Sequence, residues 1–140
     1  MIPPHAFPRL TADNHRVTSP ASREYNCIAW AAGDAGAWWW PDPEGVGFWP
    51  EGAPRQETVA AFVLAYYTLG YEPAADATLE SGFEKVALYA RGDLPTHAAR
   101  QLPNGRWSSK LGPQEDIEHD FDALDGPVYG RIIAVLKRPS

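Results

Sequence analysis

The chain has one cysteine and one methionine, and its basic residues are outnumbered by acidic ones. A lone Cys27 excludes an intrachain disulfide, which fits a reducing compartment or a secreted protein stable without bridges. No stretch approaches the roughly 18 apolar residues of a membrane span. Twelve Lys and Arg against eighteen Asp and Glu give a net charge of −6. That excludes a broad basic surface for nucleic acid, and Arg100, Arg106 and Lys110 do not make a phosphate-tracking stripe. The opening Met1-Ile2-Pro3-Pro4-His5 lacks the basic-then-apolar pattern of a signal peptide. The expectation is a cytoplasmic protein with no nucleic-acid or membrane partner, a signal-independent delivery route being left open.

What the chain does have is proline and tryptophan. Fourteen prolines and six tryptophans fall in 140 residues, with Trp30, Trp38, Trp39 and Trp40 close together. Hydrophobic residues make up 44%, enough for a folded core. A single domain over 1–140 is expected, with an irregular N-terminal arm over 1–24, where Pro3, Pro4, Pro8 and Pro20 oppose a helix, and a core over 25–140.

Residues 26–36 read as a short alanine-rich helix with Asn26 as N-cap and Gly33 or Gly36 as its stop. Residues 37–55 read as a long loop pinned by its indoles or walling a cleft with them. Val59, Phe62, Val63, Tyr66 and Leu69 recur at helical spacing over 56–69, with Gly70 as a stop. The period then changes to strands over 83–90, 96–102 and 106–111, joined by turns at Arg91-Gly92-Asp93 and Pro103-Asn104-Gly105. Residues 114–125 read as acidic and irregular, and 129–136 as a closing strand. The expected fold class is α+β, with N-terminal helices packed on an antiparallel sheet.

Cys27 follows the expected N-cap directly. A helix start and a nearby imidazolium both favour a thiolate, and His97 on the second strand is the candidate base. The backbone N–H of Cys27 is a candidate oxyanion donor. Ser109, across the Asn-Gly turn, and Asp116 or His119, approaching from the following segment, are alternative third groups at the imidazole, a carboxylate being the stronger orienter and Ser109 the better placed. Trp38, Trp39, Trp40 and Trp49 are candidate cleft walls and Asn26 a candidate side-chain oxyanion donor. The competing readings are a buried structural thiol and a zinc set of Cys27, His97, Asp116 and His119, which lacks any close ligand pair. No metal or other cofactor is expected.

The order of Asn26-Cys27-Ile28-Ala29-Trp30, Thr96-His97-Ala98-Ala99 and Trp107-Ser108-Ser109-Lys110-Leu111-Gly112 resembles the papain-like cysteine hydrolase superfamily. Its compact members are the most similar: NlpC-like cell-wall peptidases, CHAP amidases and transglutaminase-like domains. The resemblance spans Cys27 to about Gly112. It implies a compact papain-like fold and cleavage of an amide bond, or acyl transfer across it, by Cys27 and His97, with Ser109 at the place of the papain asparagine. The substrate implied is a peptide or protein, including a cell-wall peptide. The chain departs from the family pattern in having Asn26 and Ile28 where NlpC-like members have an acid and a serine, and Ala21 where papain has a glutamine. The whole chain also resembles an uncharacterised bacterial protein family, which implies no activity. The alternative is a non-catalytic protein-binding module on the same fold, using the Trp-rich loop and the acidic segment.

Overall fold

The computed structural model describes residues 7–11, 13–19, 24–34, 36–111 and 116–140. In chain order the elements are β1 (His15–Ser19), α1 (Cys27–Ala31), α2 (Val59–Tyr67), β2 (Glu72–Pro73), β3 (Phe83–Arg91), β4 (Leu94–Gln101), β5 (Trp107–Lys110), β6 (Asp116–His119) and β7 (Arg131–Pro139). The seven strands form one antiparallel sheet in the order β1-β6-β5-β4-β3-β7-β2. Strands β3 to β6 form a meander, and β7 closes against the free edge of β3.

The helices are smaller than the sequence suggests, five and nine residues, so the fold is a sheet with two short helices rather than a helical layer on a sheet. Asn26 starts α1, its Oδ1 accepting from Ala29 N at 3.1 Å, and the helix stops before Gly33, whose φ is +87°. Thr58 caps α2, its hydroxyl accepting from Ala61 N at 3.2 Å, so the helix begins after Glu57.

Two strands lie where none is expected. The supposed irregular arm contributes β1, an edge strand pairing with β6 from His15↔His119 to Ser19↔Asp116. Residues 1–6, 12 and 20–23 of that arm, Ala21 among them, lie outside the described residues, as does Gly112 in the third motif. The acidic segment contributes β6, whose four residues Asp116-Ile117-Glu118-His119 are all buried between β5 and β1. Its polar composition hid it: strands buried on both faces lose the alternation of apolar and polar residues that marks a half-exposed strand.

Both faces of the sheet are covered, by different means. On one face α1, α2 and the Trp-rich loop bury Ile28, Phe62, Tyr66, Val86, Leu88, Ala98 and Leu136. On the other, Phe7 and the 121–129 segment cover Ala87, Tyr89, Ala99, Trp107 and Ile117. Alternation along the central strands therefore sends neighbouring core side chains, such as Val86 and Ala87 or Ala98 and Ala99, to two different cores.

Candidate functional site

Cys27 is the first residue of α1 and is buried against Ala98 of β4. Burial pushes its thiol up to about 11, against hydrogen bonds with the backbone at Ala98 and Ile28 and the charge of Lys110, which pull it down. The thiol is therefore protonated at neutral pH. Among the described residues no hydrogen bond joins it to an imidazole.

His97 lies on the opposite face. Ala98 packs against α1, and Trp30 of α1 donates its indole N–H to Ser108 Oγ at 2.9 Å. Their strand neighbours His97 and Ser109 therefore point the other way. There His97 Nε2 meets Ser109 Oγ at 2.9 Å, and Ser109 Oγ meets His119 Nε2 at 2.7 Å. All three residues have no exposed surface. The ring of His97 stacks on Tyr129, centroids 4.0 Å apart and 8° between planes, and meets Tyr89 edge-on at 5.1 Å.

The proton positions in this chain follow from its end. His119 Nδ1 lies 2.7 Å from the carbonyl of Asp120, which only accepts, so Nδ1 carries the proton. Burial lowers the His119 pKa to about 4, so the ring is neutral at pH 7 and its Nε2 is an acceptor. Ser109 then donates to His119, and His97 donates from Nε2 to Ser109. His97 Nδ1 is left as a bare lone pair, buried and without a partner. Burial, with His119 nearby, holds the His97 pKa well below its usual value.

Asp116 belongs to the α1 face. It accepts from the Tyr25 hydroxyl at 2.6 Å and pairs in register with Lys110, whose Nζ lies 5.3 Å from the Tyr25 ring centroid. The sheet thus separates Asp116 from His97, and the imidazole's orienting contact is with Ser109. The four zinc-type residues divide two and two across the sheet, and no group of three metal-binding side chains gathers among the described residues.

Asn26 is committed. Its Oδ1 accepts from Ala29 N and Trp39 N, each at 3.1 Å, and its Nδ2 donates to Trp39 O at 2.7 Å. One N–H of Nδ2 is therefore spent on the Trp-rich loop, so the oxyanion role read from the sequence rests on the second N–H of the same amide. The tryptophans also divide. Trp39 and Trp49 are core residues, their indoles donating to Asp34 Oδ2 and Pro54 O, each at 2.9 Å, and they form no cleft wall. Trp40 packs edge-on against Phe62, and Trp38 is 40% exposed.

Trp38 and Trp40 line an open cavity of about 370 Å³ together with Asn26, Cys27, Thr96 and Tyr129. Thr96 donates to the carbonyl of Tyr129, tying β4 to the loop that carries the tyrosine. That loop is pinched by two hydrogen bonds between Gly126 and Gly130, at 3.0 and 2.7 Å. Burial raises the Tyr129 hydroxyl far above its usual pKa, so it stays neutral. Phe48, Val46 and Val128, all exposed, extend the apolar surface on the two loops that bear Trp38 and Tyr129. Sequence reasoning missed Thr96 and Tyr129. The signal for the latter was the Gly126-Pro127-Val128-Tyr129-Gly130 string, a tight loop that fixes the aromatic residue it holds.

The acidic segment is not a free acidic surface. Glu118 accepts from Arg16 Nε at 3.2 Å and Arg106 Nε at 3.1 Å, Asp120 from Arg106 at 2.7 Å, and Asp122 from Arg9 at 3.4 Å. No helix among the described residues is long and apolar enough to cross a membrane. No curated protein and no solved structure matches the chain. Residues 16–137 match the model of a domain of unknown function, DUF7689, and the chain belongs to that family.

Proposed function

We propose that this domain is a non-catalytic peptide-binding module that seats an apolar side chain of a partner in the cavity over Cys27. The observation that carries the reading is the chemistry of that cavity. Its walls are two indoles and a phenol, its thiol is neutral, and the Asn26 carboxamide oxygen and the Thr96 hydroxyl proton are already engaged within the chain. Such a site offers contact area and no charge, and it favours an uncharged apolar group. A cytoplasmic setting, in which a lone thiol stays reduced, belongs to the same proposal.

The second reading is amide hydrolysis or acyl transfer on a compact papain-like fold, with Cys27 as nucleophile and His97 as base. One arrangement favours it: Cys27 opens α1 and lines the cavity, and Tyr129, on the same wall, stacks on His97, whose Nδ1 is unpaired. This reading needs the imidazole to reach the α1 face and the thiol to lose its proton.

The test is selection of a displayed library of random heptapeptides on the wild-type protein, with the selected peptides re-measured against Trp38→Ala. The binding reading expects peptides that share an apolar residue and bind Trp38→Ala at least about tenfold more weakly, a loss of about 1.4 kcal/mol. Enrichment no better than a bare support, or affinity indifferent to Trp38, contradicts it. Peptides cleaved by wild type and left intact by Cys27→Ala establish the second reading in its place.

A further inference from the structure

We infer that Arg100 is the anion receptor of a separate site, in which the cavity between the start of β3 and the end of β4 takes a singly charged carboxylate on an apolar body. This cavity, about 700 Å³, shares no lining residue with the one over Cys27.

Arg100 is the anomaly that points there. Its guanidinium lies 3.7 Å over the ring of Trp30, which is itself held by its bond to Ser108. It makes no hydrogen bond and no ion pair among the described residues, and its Nε is buried without an acceptor. A partly desolvated guanidinium ordinarily engages a carboxylate in a forked pair, because a donor withdrawn from water, as Nε is here, otherwise gains nothing in return. Stacking on Trp30 also fixes the plane of the fork in advance, so little conformational freedom is lost when an anion docks.

The carboxylates of the cavity do not fill this role. Glu84 is held by Arg138, and Glu80 accepts from Lys137 at 2.9 Å and lies 3.4 Å from Lys85. Two acidic residues on the wall also disfavour a doubly charged phosphate more than a single carboxylate. Leu79, Phe83 and Leu102 supply apolar lining, and Leu79 is half exposed at the rim. The ligand class that satisfies all of these is an apolar monocarboxylate, either a free acid or the C-terminal residue of a peptide.

The test titrates wild-type protein with N-acetylphenylalanine, its amide, a tripeptide ending in phenylalanine, and inorganic phosphate. The readouts are the Arg100 Nε–H and Trp30 indole N–H resonances. The expected result is saturable shifts with the acid, none with the amide, weaker binding of phosphate, and at least about tenfold weaker binding of the acid to Arg100→Gln, the loss of one charged hydrogen-bonding group. The tripeptide binding more tightly than the acid identifies a peptide C-terminus as the source of the carboxylate, and the reverse identifies a free acid. Absence of saturable binding by either carboxylate, equal response to acid and amide, tighter binding of phosphate, or unchanged affinity in a folded Arg100→Gln overturns the inference. Should Arg100→Gln not fold, the contrast of acid and amide on the wild type decides.

Discussion

Ser109→Ala is the substitution that bears hardest on the buried chain between the two histidines. The hydroxyl bridges His97 Nε2 at 2.9 Å and His119 Nε2 at 2.7 Å, with no exposed surface at any of the three residues. Removing it leaves an N–H donor on His97 and a lone pair on His119 without partners. Each stranded buried group costs about 1–3 kcal/mol, so the pair costs about 2–6 kcal/mol. A domain of this size has about 5–15 kcal/mol in all, so the loss is a large share. The matched control is Ser108→Ala, one residue away on the other face, which breaks only the partly buried bond from Trp30 and costs about 1 kcal/mol. Equilibrium urea unfolding at pH 7.5, followed by tryptophan fluorescence, measures both. A Ser109→Ala loss under about 0.5 kcal/mol, or one smaller than that of Ser108→Ala, refutes the buried hydroxyl bridge between the two imidazoles.

Two further outcomes follow from the same geometry. Both histidines have folded pKa values below the unfolded value of about 6.5, so below that pH the unfolded chain takes up protons that the folded chain refuses. Stability is therefore full above about pH 6.5 and falls as the pH drops towards 4, by up to about 2.7 kcal/mol per pH unit where both rings contribute. Urea midpoints at pH 5 and 7.5 measure this, and equal midpoints contradict it; the carboxylates whose pKa is lowered act only below about pH 4.5. Gly130→Ala places a Cβ 2.3 Å from the Ala90 carbonyl at φ +78°, whereas Gly45→Ala meets nothing within 4 Å at φ +74°. The first is expected to cost at least about 3 kcal/mol and the second about 1 kcal/mol, both read from thermal and urea unfolding. Equal losses would show that the loop bearing Tyr129 does not press on β3.

Much of the sheet was legible in the chain. The alternation over Phe83–Ala90 and the Asn104-Gly105 turn gave the β3–β4–β5 meander, and the Asn26 cap set the start of α1. The proximity of Ser109 to His97 was also readable, because the turn fixes which residues lie diagonally across the two strands. The face was not readable. Thr96, Ala98 and Arg100 were separable from His97, Ala99 and Gln101 by parity, yet nothing local says which set α1 will cover. Ala98 and Ala99 are equally small, and the choice rests on contacts of α1 with β4 and β5 that are distant in sequence. The same ignorance placed Asp116 beside His97, when one step of strand alternation sets it with Tyr25 instead. Trp39 and Trp49 looked like Trp38 and Trp40 because composition does not distinguish an indole that is buried with its N–H bonded within the chain from one at a rim.

On the proposed binding reading, the thiol over which the cavity is built is a wall and not a nucleophile. The measurement that tests it most directly is the pH dependence of iodoacetamide alkylation at Cys27, in wild type and in His97→Ala, with urea-unfolded protein as the reactive control. Alkylation is expected to be slow through pH 8, to rise only towards the thiol's value of about 11, and to be unchanged on removing His97. A thiolate titrating well below the free-thiol value of about 8.5, and lost in His97→Ala, contradicts it and makes Cys27 and His97 a catalytic pair.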